Sequence, residues 1–384
     1  MKVAVVSSRY PSQNDPYNHM FVHTRNKWYV ELGLLDSLDV YVPARGEKQS
    51  YVYDGVRVHI CCVEEIIKNI SSCDVVFAHL LHVSHDPKVD GGRVFEWMLS
   101  NDFPFVMFIH GVESQSILKS RPDDISIVKP KSIARWLYRD FYLLRRFSGY
   151  LRRMCDSKRV RVVTPSVWMA RDVEFNTGVN IESKASIIPN GVDTEQFIYR
   201  DSLWRNREKI MSIRPLYYRG KYAVDLFLDT AESARGQGRF YLYGRGPDED
   251  MITRLLLERC LGVSLNTGFL ENSKIPKLHA EHGLYYAVTR MDAQGVSMCE
   301  AMSSGLPVIS FDVCAIPEFI EDGVDGFLVK PYDVVEAFSK MQLLWEDRSL
   351  FDRISTAARK RAEAIDIRIT VSKEIALGGE IVSA

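Results

Sequence analysis

Thr289 to Pro307 reads TRMDAQGVSMCEAMSSGLP, and the strand-like Val308-Ile309-Ser310 follows it. Asp292 stands in a polar stretch ahead of Gly295, and Glu300 lies inside the apolar run that Gly295 opens. Gly305-Leu306-Pro307 then stops that run. The pattern predicts a helix from Gly295 to Ser304 between a loop and a buried strand. The first N–H groups of such a helix, those of Gly295, Val296 and Ser297, have no partner inside it. Together with the positive end of the helix dipole they face whatever lies in front, and an anion such as a diphosphate suits that position. Glu300 falls about one turn further in, where a carboxylate accepts two hydrogen bonds from a vicinal diol such as a ribose. Asp292, ahead of the helix, looks at the same space from the other side. For Asp292 a solvated helix cap is the common alternative.

Outward from this stretch, short β-branched runs alternate with longer amphipathic ones. The first half predicts strands at 3–6, 39–42, 56–60, 74–78, 105–109 and 160–164, with helical patterns such as 19–32 and 93–99. The second half repeats the rhythm, with strands at 210–213, 240–243, 263–265, 284–288, 308–310 and 327–329. Its helices are expected at 223–234, 249–260, 273–280, 295–304 and 334–344, followed by a helical stretch at 349–365. Strands alternating with helices argue for parallel α/β sheets. Ligands of such sheets bind beyond the carboxyl ends of the strands. Ile188-Pro189-Asn190-Gly191-Val192-Asp193 punctuates the chain between the halves.

The 384 residues suffice for two cores. No segment reaches the roughly 20 apolar residues of a membrane span, and the N-terminus reads as a first strand rather than a signal peptide. Seven cysteines without a Cys-x-x-Cys pair fit a reduced, cytoplasmic chain. The net charge of −1 conceals +4 over residues 1–190 and −5 over 191–384. The positive excess lies at 129–161, where eleven Lys/Arg are interleaved with Trp136, Tyr138, Phe141, Tyr142, Phe147 and Tyr150. Ile133, Trp136, Leu137, Phe141, Leu144, Phe147 and Leu151 recur there at helical steps. Such a helix suits an anionic membrane surface. A core-packed apolar face, a solvated helix and nucleic-acid binding are the alternatives, the last resting on clustered cations alone. The membrane surface is the partner adopted, and nucleic acid is not.

Several strand ends carry chemistry. Arg214 follows the strand at 210–213, with Arg219 and Lys221 in the next loop; cations there can neutralise a diphosphate, although loop cations are often only solvated. Gly244 and Gly246 follow the strand at 240–243, where small residues let the backbone approach a base or phosphate. Asp248-Glu249-Asp250 spells a metal-like Asp-x-Asp, but three acids in a first turn serve the helix dipole, so no metal is assigned. His110 and Glu113 end the strand at 105–109, and a histidine there can act as acid or base or be structural. His79, His82 and His85 share three-residue steps without the further ligand a zinc site needs. Pro16-Tyr17-Asn18-His19-Met20 places Asn18 and His19 in a turn after the first strand.

Taken together, these motifs resemble retaining glycosyltransferase family 4, the "glycosyl transferases group 1" proteins of the GT-B fold. The family form is Glu-Gly-Phe-Gly, then Leu-Glu-Ala-Met and Gly-x-Pro. Glu300-Ala301-Met302 and Gly305-Leu306-Pro307 match it, while Asp292 replaces the first Glu and Ala293-Gln294 replaces Gly-Phe. Ser212 to Asp225 resembles the family's Gly-Arg-Leu…Lys-Gly element. Arg214 matches its Arg, and Lys221 is preferred over Arg219 for its Lys. Tyr243 to Pro247 resembles its Gly-x-Gly-Pro turn, His110-Gly111 its strand-end His-Gly, and Pro189 to Asp193 its interdomain linker. Asn18 and His19 stand where the family has a Gly-rich loop, a departure from the pattern.

The resemblance implies an α/β GT-B fold of two facing Rossmann-like domains with a central cleft: 1–190 for the acceptor and 191–365 for the donor, with a tail at 366–384 packing back on the first. It implies metal-independent transfer, without a cofactor, from a nucleoside diphosphate sugar to a glycan or lipid-linked acceptor at the inner face of the membrane. Glu300 would hold the ribose. Gly295 to Ser297, Arg214, Lys221 and Arg219 would hold the diphosphate, with Gly244 and Gly246 beside the nucleotide. Asp292 and Gln294 would meet the sugar, and His110, Asn18 and His19 would approach from the first domain. The departing phosphate takes the acceptor's proton in this picture. A sugar-nucleotide epimerase or hydrolase and a non-catalytic binding subunit are the competing readings.

Overall fold

The computed structural model describes residues 1–16, 18–120, 130–201 and 203–384. Tyr17 of the first turn and Lys129 of the basic stretch lie outside the described residues. The chain forms two compact units, Met1–Gly191 with Ile367–Ala384, and Val192–Asp366.

The first unit is built on an eight-stranded sheet. Its strands are β1 (Lys2–Ser7), β2 (Ser37–Pro43), β3 (Gln49–Tyr53), β4 (Val56–Cys61), β5 (Val75–His79), β6 (Phe105–Phe108), β7 (Val160–Thr164) and β8 (Ala185–Ile187). They are ordered β3-β4-β2-β1-β5-β6-β7-β8, parallel throughout except for the β3–β4 pair. β1 is buried from Val3 to Ser7, as a strand covered by helices on both faces must be. Alternate residues supply two cores: Ala4, Val6, Val76, Ala78 and Met107 on one face, and Val3, Val5, Val75, Phe77 and Val106 on the other. Sequence reading missed two strands. β3 pairs back on β4 through Asp54-Gly55, both at positive φ (43° and 82°), the geometry of a tight hairpin turn. β8 has only three residues, too few for periodicity to show.

The end of the chain is also more ordered than its sequence suggests. Ile367–Ser383 is a helix, and its Ile367, Val371, Leu377 and Ile381 join the second core of the first unit. Beneath it, Glu374 is fully buried and accepts from Arg25 Nε at 2.9 Å and from the Tyr29 hydroxyl. Arg25, on the helix Met20–Glu31, also donates to Asn190 Oδ1 at 2.8 Å. Gly191 is needed here because a Cβ would strike Thr370 and the main chain of Ile367.

The second unit holds a six-stranded parallel sheet, ordered β11-β10-β9-β12-β13-β14. Its strands are β9 (Lys209–Ile213), β10 (Arg239–Gly244), β11 (Val263–Thr267), β12 (Leu284–Ala287), β13 (Val308–Phe311) and β14 (Phe327–Val329). The helices lie within a residue or two of the ranges the sequence predicts. Two of them have Asp caps: Asp333 accepts from Glu336 N at 2.9 Å and Asp347 from Leu350 N at 2.9 Å. The ends of β9 and β12 and the start of the helix Val296–Ser303 position the site.

Candidate functional site

Arg214 is the first residue beyond β9, and only 5% of it is exposed. Its Nη1 stands 3.5 Å from Asp292 Oδ2, while Nε and Nη2 are buried with no hydrogen-bond partner. A buried guanidinium with two unmet donors is costly to keep, and its fork geometry fits phosphate. The main chain around it runs beside the end of β10, with Arg214 N on Tyr243 O at 2.9 Å and Leu216 N on Arg245 O at 3.0 Å. That pairing accounts for the two glycines, since a Cβ on Gly244 or Gly246 would collide with the carbonyl of Arg214 or Leu216. They are small for a neighbouring strand, which is a different reason from the expected approach of a base or phosphate.

The helix Val296–Ser303 begins at Gly295, which is left-handed (φ 79°). Asp292 turns onto this helix start: its Oδ1 accepts from Gln294 N at 3.1 Å and from Gly295 N at 2.7 Å. The expected set of three open N–H groups is therefore corrected to two, those of Val296 and Ser297, because the Asp292 carboxylate occupies the third. The same geometry makes Asp292 the cap of the loop and the partner of Arg214. Gln294 also differs from expectation. It is only 1% exposed, buried at the helix start.

Tyr285 in β12, which sequence reading passed over, ties these parts together. Its hydroxyl donates to Ser297 Oγ at 2.9 Å and accepts from Ile213 N at 3.4 Å, fixing the first turn of the helix to the end of β9. Glu300 is half-buried, and burial pushes its carboxyl up to about 8. No protein group pairs with that carboxyl among the described residues.

Lys221 is half-buried, with its ammonium 4.8 Å from the Tyr222 ring centre. Its carbonyl accepts from Arg290 N at 2.9 Å and Thr289 Oγ1 at 3.0 Å, which pins the 219–222 loop to the segment leading to Asp292. Arg290 is in turn clamped by both carboxylate oxygens of Asp225 at 2.7 Å. Arg219 is exposed, beside Tyr218. Asp248 and Glu249 accept from the main-chain N–H groups of Tyr218 and Gly246, at 2.9 Å and 2.8 Å.

In the first unit the strand ends bring histidines together. His110 Nε2 lies 3.1 Å from His79 Nδ1, and His110 packs 4.7 Å from the Phe21 ring. Burial, then the charge of Arg25, holds the His110 imidazole well below its usual range, so it is neutral. His19 is left-handed (φ 55°) at the start of the helix Met20–Glu31, with Nδ1 3.3 Å from Ser7 Oγ. Asn18, half-buried, donates its N–H to Asp15 O at 3.5 Å. Glu113 is 4% exposed; Oε1 accepts from His110 N at 2.7 Å and Oε2 has no partner. Burial raises its carboxyl to about 7.

The basic stretch is not one continuous amphipathic helix. An α-helix at Pro130–Leu137 passes through a π-helical turn at Tyr138–Leu143 into a second α-helix at Leu144–Asp156. The wider turn shifts the phase of the apolar stripe. Leu144, Phe147 and Leu151 consequently enter the core, whereas Leu137, Tyr138, Phe141 and Tyr142 are exposed. Arg146 pairs with Asp90 at 2.9 Å, Arg153 pairs with Glu96 at 2.6 Å, and Arg139 holds the carbonyls of Val112 and Gln115. Lys131, Arg135, Arg145 and Arg152 are exposed.

Two doubly wound parallel sheets, with the strand-end arginine and acid-bearing helix on the second, define the GT-B class. Anabaena HepE, solved in complex with UDP, superposes with a TM-score of 0.68 over 98% of each chain at 16% identity. Residues 207–347 match the family model of the glycosyl transferases group 1. Curated relatives include the sulfoquinovosyl transferase SQD2 of Arabidopsis thaliana, 26% identical over 270 residues, which are 68% of this chain and 51% of the relative. The alpha-monoglucosyldiacylglycerol synthase of Acholeplasma laidlawii is 26% identical over 167 residues, 38% of this chain and 40% of the relative. The chain thus spans about half the length, or less, of these curated relatives.

Proposed function

We propose that this protein is a retaining, metal-independent glycosyltransferase that moves a sugar from a nucleoside diphosphate sugar to a glycan or lipid-linked acceptor. The observation that carries the reading is Arg214, a buried guanidinium with two unmet donors, tied through Asp292 to a helix start with two open N–H groups. A diphosphate supplies the acceptor oxygens that both ends lack. UDP is the nucleotide to test first, since HepE was solved with it.

In this reading Arg214, Val296 N and Ser297 N hold the diphosphate, and Lys221 adds a further cation. They stabilise the charge that grows on the leaving phosphate as the bond to the sugar breaks. Glu300 takes the ribose hydroxyls. Asp292 keeps Arg214 and the helix start in register, and its remaining lone pairs face the sugar. The acceptor hydroxyl attacks from the face that the phosphate leaves, and that phosphate takes its proton. His110, being neutral, offers a hydrogen bond and no charge. The exposed Leu137, Phe141 and Tyr142, with Lys131, Arg135 and Arg145 nearby, support a finer proposal: peripheral attachment to the anionic inner face of a membrane. No helix among the described residues is long and apolar enough to cross one.

The test is turnover of Arg214→Ala and Glu300→Ala. Removing one contact to developing charge lowers rates roughly a hundredfold or more, and each variant is expected to lose at least that much. Near-normal turnover in both would overturn the assignment.

A further inference from the structure

Arg214 is placed by the end of its strand, but Lys221 has no strand beneath it. It sits in the single helical turn Gly220–Tyr222, which opens on Gly220 at φ 76° and ends against Ala223 at φ 55°. A left-handed alanine is disfavoured on its own, so a turn that ends on one is held by its surroundings.

Two residues do the holding. Asp225, in the first turn of the helix Val224–Ser233, closes the loop from one side with its N–H on Tyr218 O at 2.8 Å. Arg290, beyond β12, closes it from the other. Its guanidinium donates to both Asp225 carboxylate oxygens at 2.7 Å and to the Gly220 carbonyl at 3.3 Å. Its main-chain N–H meets the Lys221 carbonyl at 2.9 Å. Two residues further on, Asp292 caps the helix start at Gly295 and faces Arg214. A fork of two parallel N–H···O bonds fixes direction as well as distance, so the loop of Lys221 and the loop of Asp292 are kept at one spacing. The pair is largely shielded from water, with 25% of the Arg290 side chain and 12% of the Asp225 side chain exposed. An ion pair shielded in this way is often no more stabilising than apolar groups of the same size. What the fork supplies here is geometry.

We propose that Arg290 and Asp225 are positioning residues, which together hold Lys221 where it and Arg214 meet the same diphosphate. The inference rests on the transferase reading above and deepens it. Neither residue acts on the ligand directly; each acts through the main chain of the Lys221 turn. Charge and positioning predict opposite signs for one substitution. Asp225→Asn removes a negative charge near an anion site, which by the field alone tightens anion binding. With the carboxylate as half of a fork, the same change loosens the Lys221 turn and weakens binding.

Binding to the full-length protein tests this. Thermal shift with UDP, GDP and ADP selects the probe, and titration calorimetry measures its affinity. Lys221→Ala is expected to weaken it at least about fivefold. Asp225→Asn keeps the side chain's size and the N–H contact with Tyr218, and Arg290→Lys keeps the charge without the fork. Each is expected to weaken the nucleoside diphosphate at least about threefold, while the parent nucleoside, which has no phosphates, competes as it does with wild type. Added to Lys221→Ala, either change should cost less than about twofold more, because a clamp with no lysine to place has nothing left to hold. Asp225→Asn that binds as tightly as wild type, or more tightly, overturns the proposal, as does a fully additive loss in the double variants. Arg214→Ala separates the two levels. If it binds weakly while Asp225→Asn and Arg290→Lys bind normally, the clamp alone fails. If it binds normally, or if no nucleoside diphosphate binds the wild type, the diphosphate reading beneath the clamp fails.

Discussion

Glu300 carries a titration that reaches beyond its proposed ribose contact. Burial raises its carboxyl from 4.5 to about 8. Below pH 4.5 the folded and unfolded chains both hold the proton. As pH rises towards 8, the unfolded chain releases a proton that the folded chain still keeps, so folding loses stability across that window. Glu300→Gln removes the titration. Its stability relative to wild type is expected to rise from pH 5 to pH 8 by on the order of 3 kcal/mol, after allowing for partial exposure. Urea denaturation of both proteins at the two pH values measures the difference, and a pH-independent difference would show that the carboxyl is ionised and solvated. At this scale the sequence was legible where spacing decided the matter: Glu300 and Arg214 stand out by their distance from Gly295 and from a strand end. It was not legible for Asp292, because an acid ahead of a glycine can cap the helix, face a ligand or do both, and only the 2.7 Å contact with Gly295 N shows the cap. Tyr285 gave no signal, since a tyrosine in Leu284-Tyr285-Tyr286-Ala287 reads as one more buried strand residue while its hydroxyl works at the end of another strand.

At the scale of elements, parallel strands and amphipathic helices were readable because burial repeats along each of them. The stretch at 130–156 was misread as one face because helical periodicity assumes an unbroken α-helix. The π-helical turn at Tyr138–Leu143 splits the apolar stripe into a buried part and an exposed part. Several arginines that looked available for a membrane are occupied. Arg153 is paired with Glu96 and Arg146 with Asp90. The proposed contact with an anionic surface therefore falls to the exposed half, where Phe141 is 60% and Leu137 44% exposed. Replacing both by Asp removes apolar insertion and adds repulsion, and flotation with phosphatidylserine-containing vesicles is expected to drop at least about tenfold. Arg153→Ala, which breaks an exposed pair, should change it little. Flotation unaffected by the double Asp change would remove the membrane from the account.

For the molecule as a whole, the repeated strand–helix rhythm made two α/β units legible, but not where the chain returns to the first of them. The sequence Ile367 to Ser383 includes Gly378-Gly379, which ordinarily weakens a helix. The structure uses one of these glycines for close packing, since a Cβ on Gly378 would stand 3.0 Å from the Phe77 ring. The helix is held by burial and by Glu374, whose partners Arg25 and Tyr29 lie more than 340 positions earlier in the chain, a separation no local pattern reports. Removing that carboxylate strands a buried guanidinium and a buried hydroxyl together. Breaking a buried pair from one side costs about 3–5 kcal/mol, so Glu374→Ala should destabilise the first unit by that amount. Glu374→Gln, which keeps an acceptor for one donor, should lose less. Lys373→Ala, exposed on the same helix, should stay within about 0.5 kcal/mol of wild type. Denaturant unfolding should show the loss for Glu374→Ala in the transition of the first unit, with the nucleotide-dependent shift of the second unit preserved. A Glu374→Ala protein as stable as wild type would mean that the terminal helix is held by its apolar face alone, with Arg25 satisfied by Asn190 and the Phe21 carbonyl.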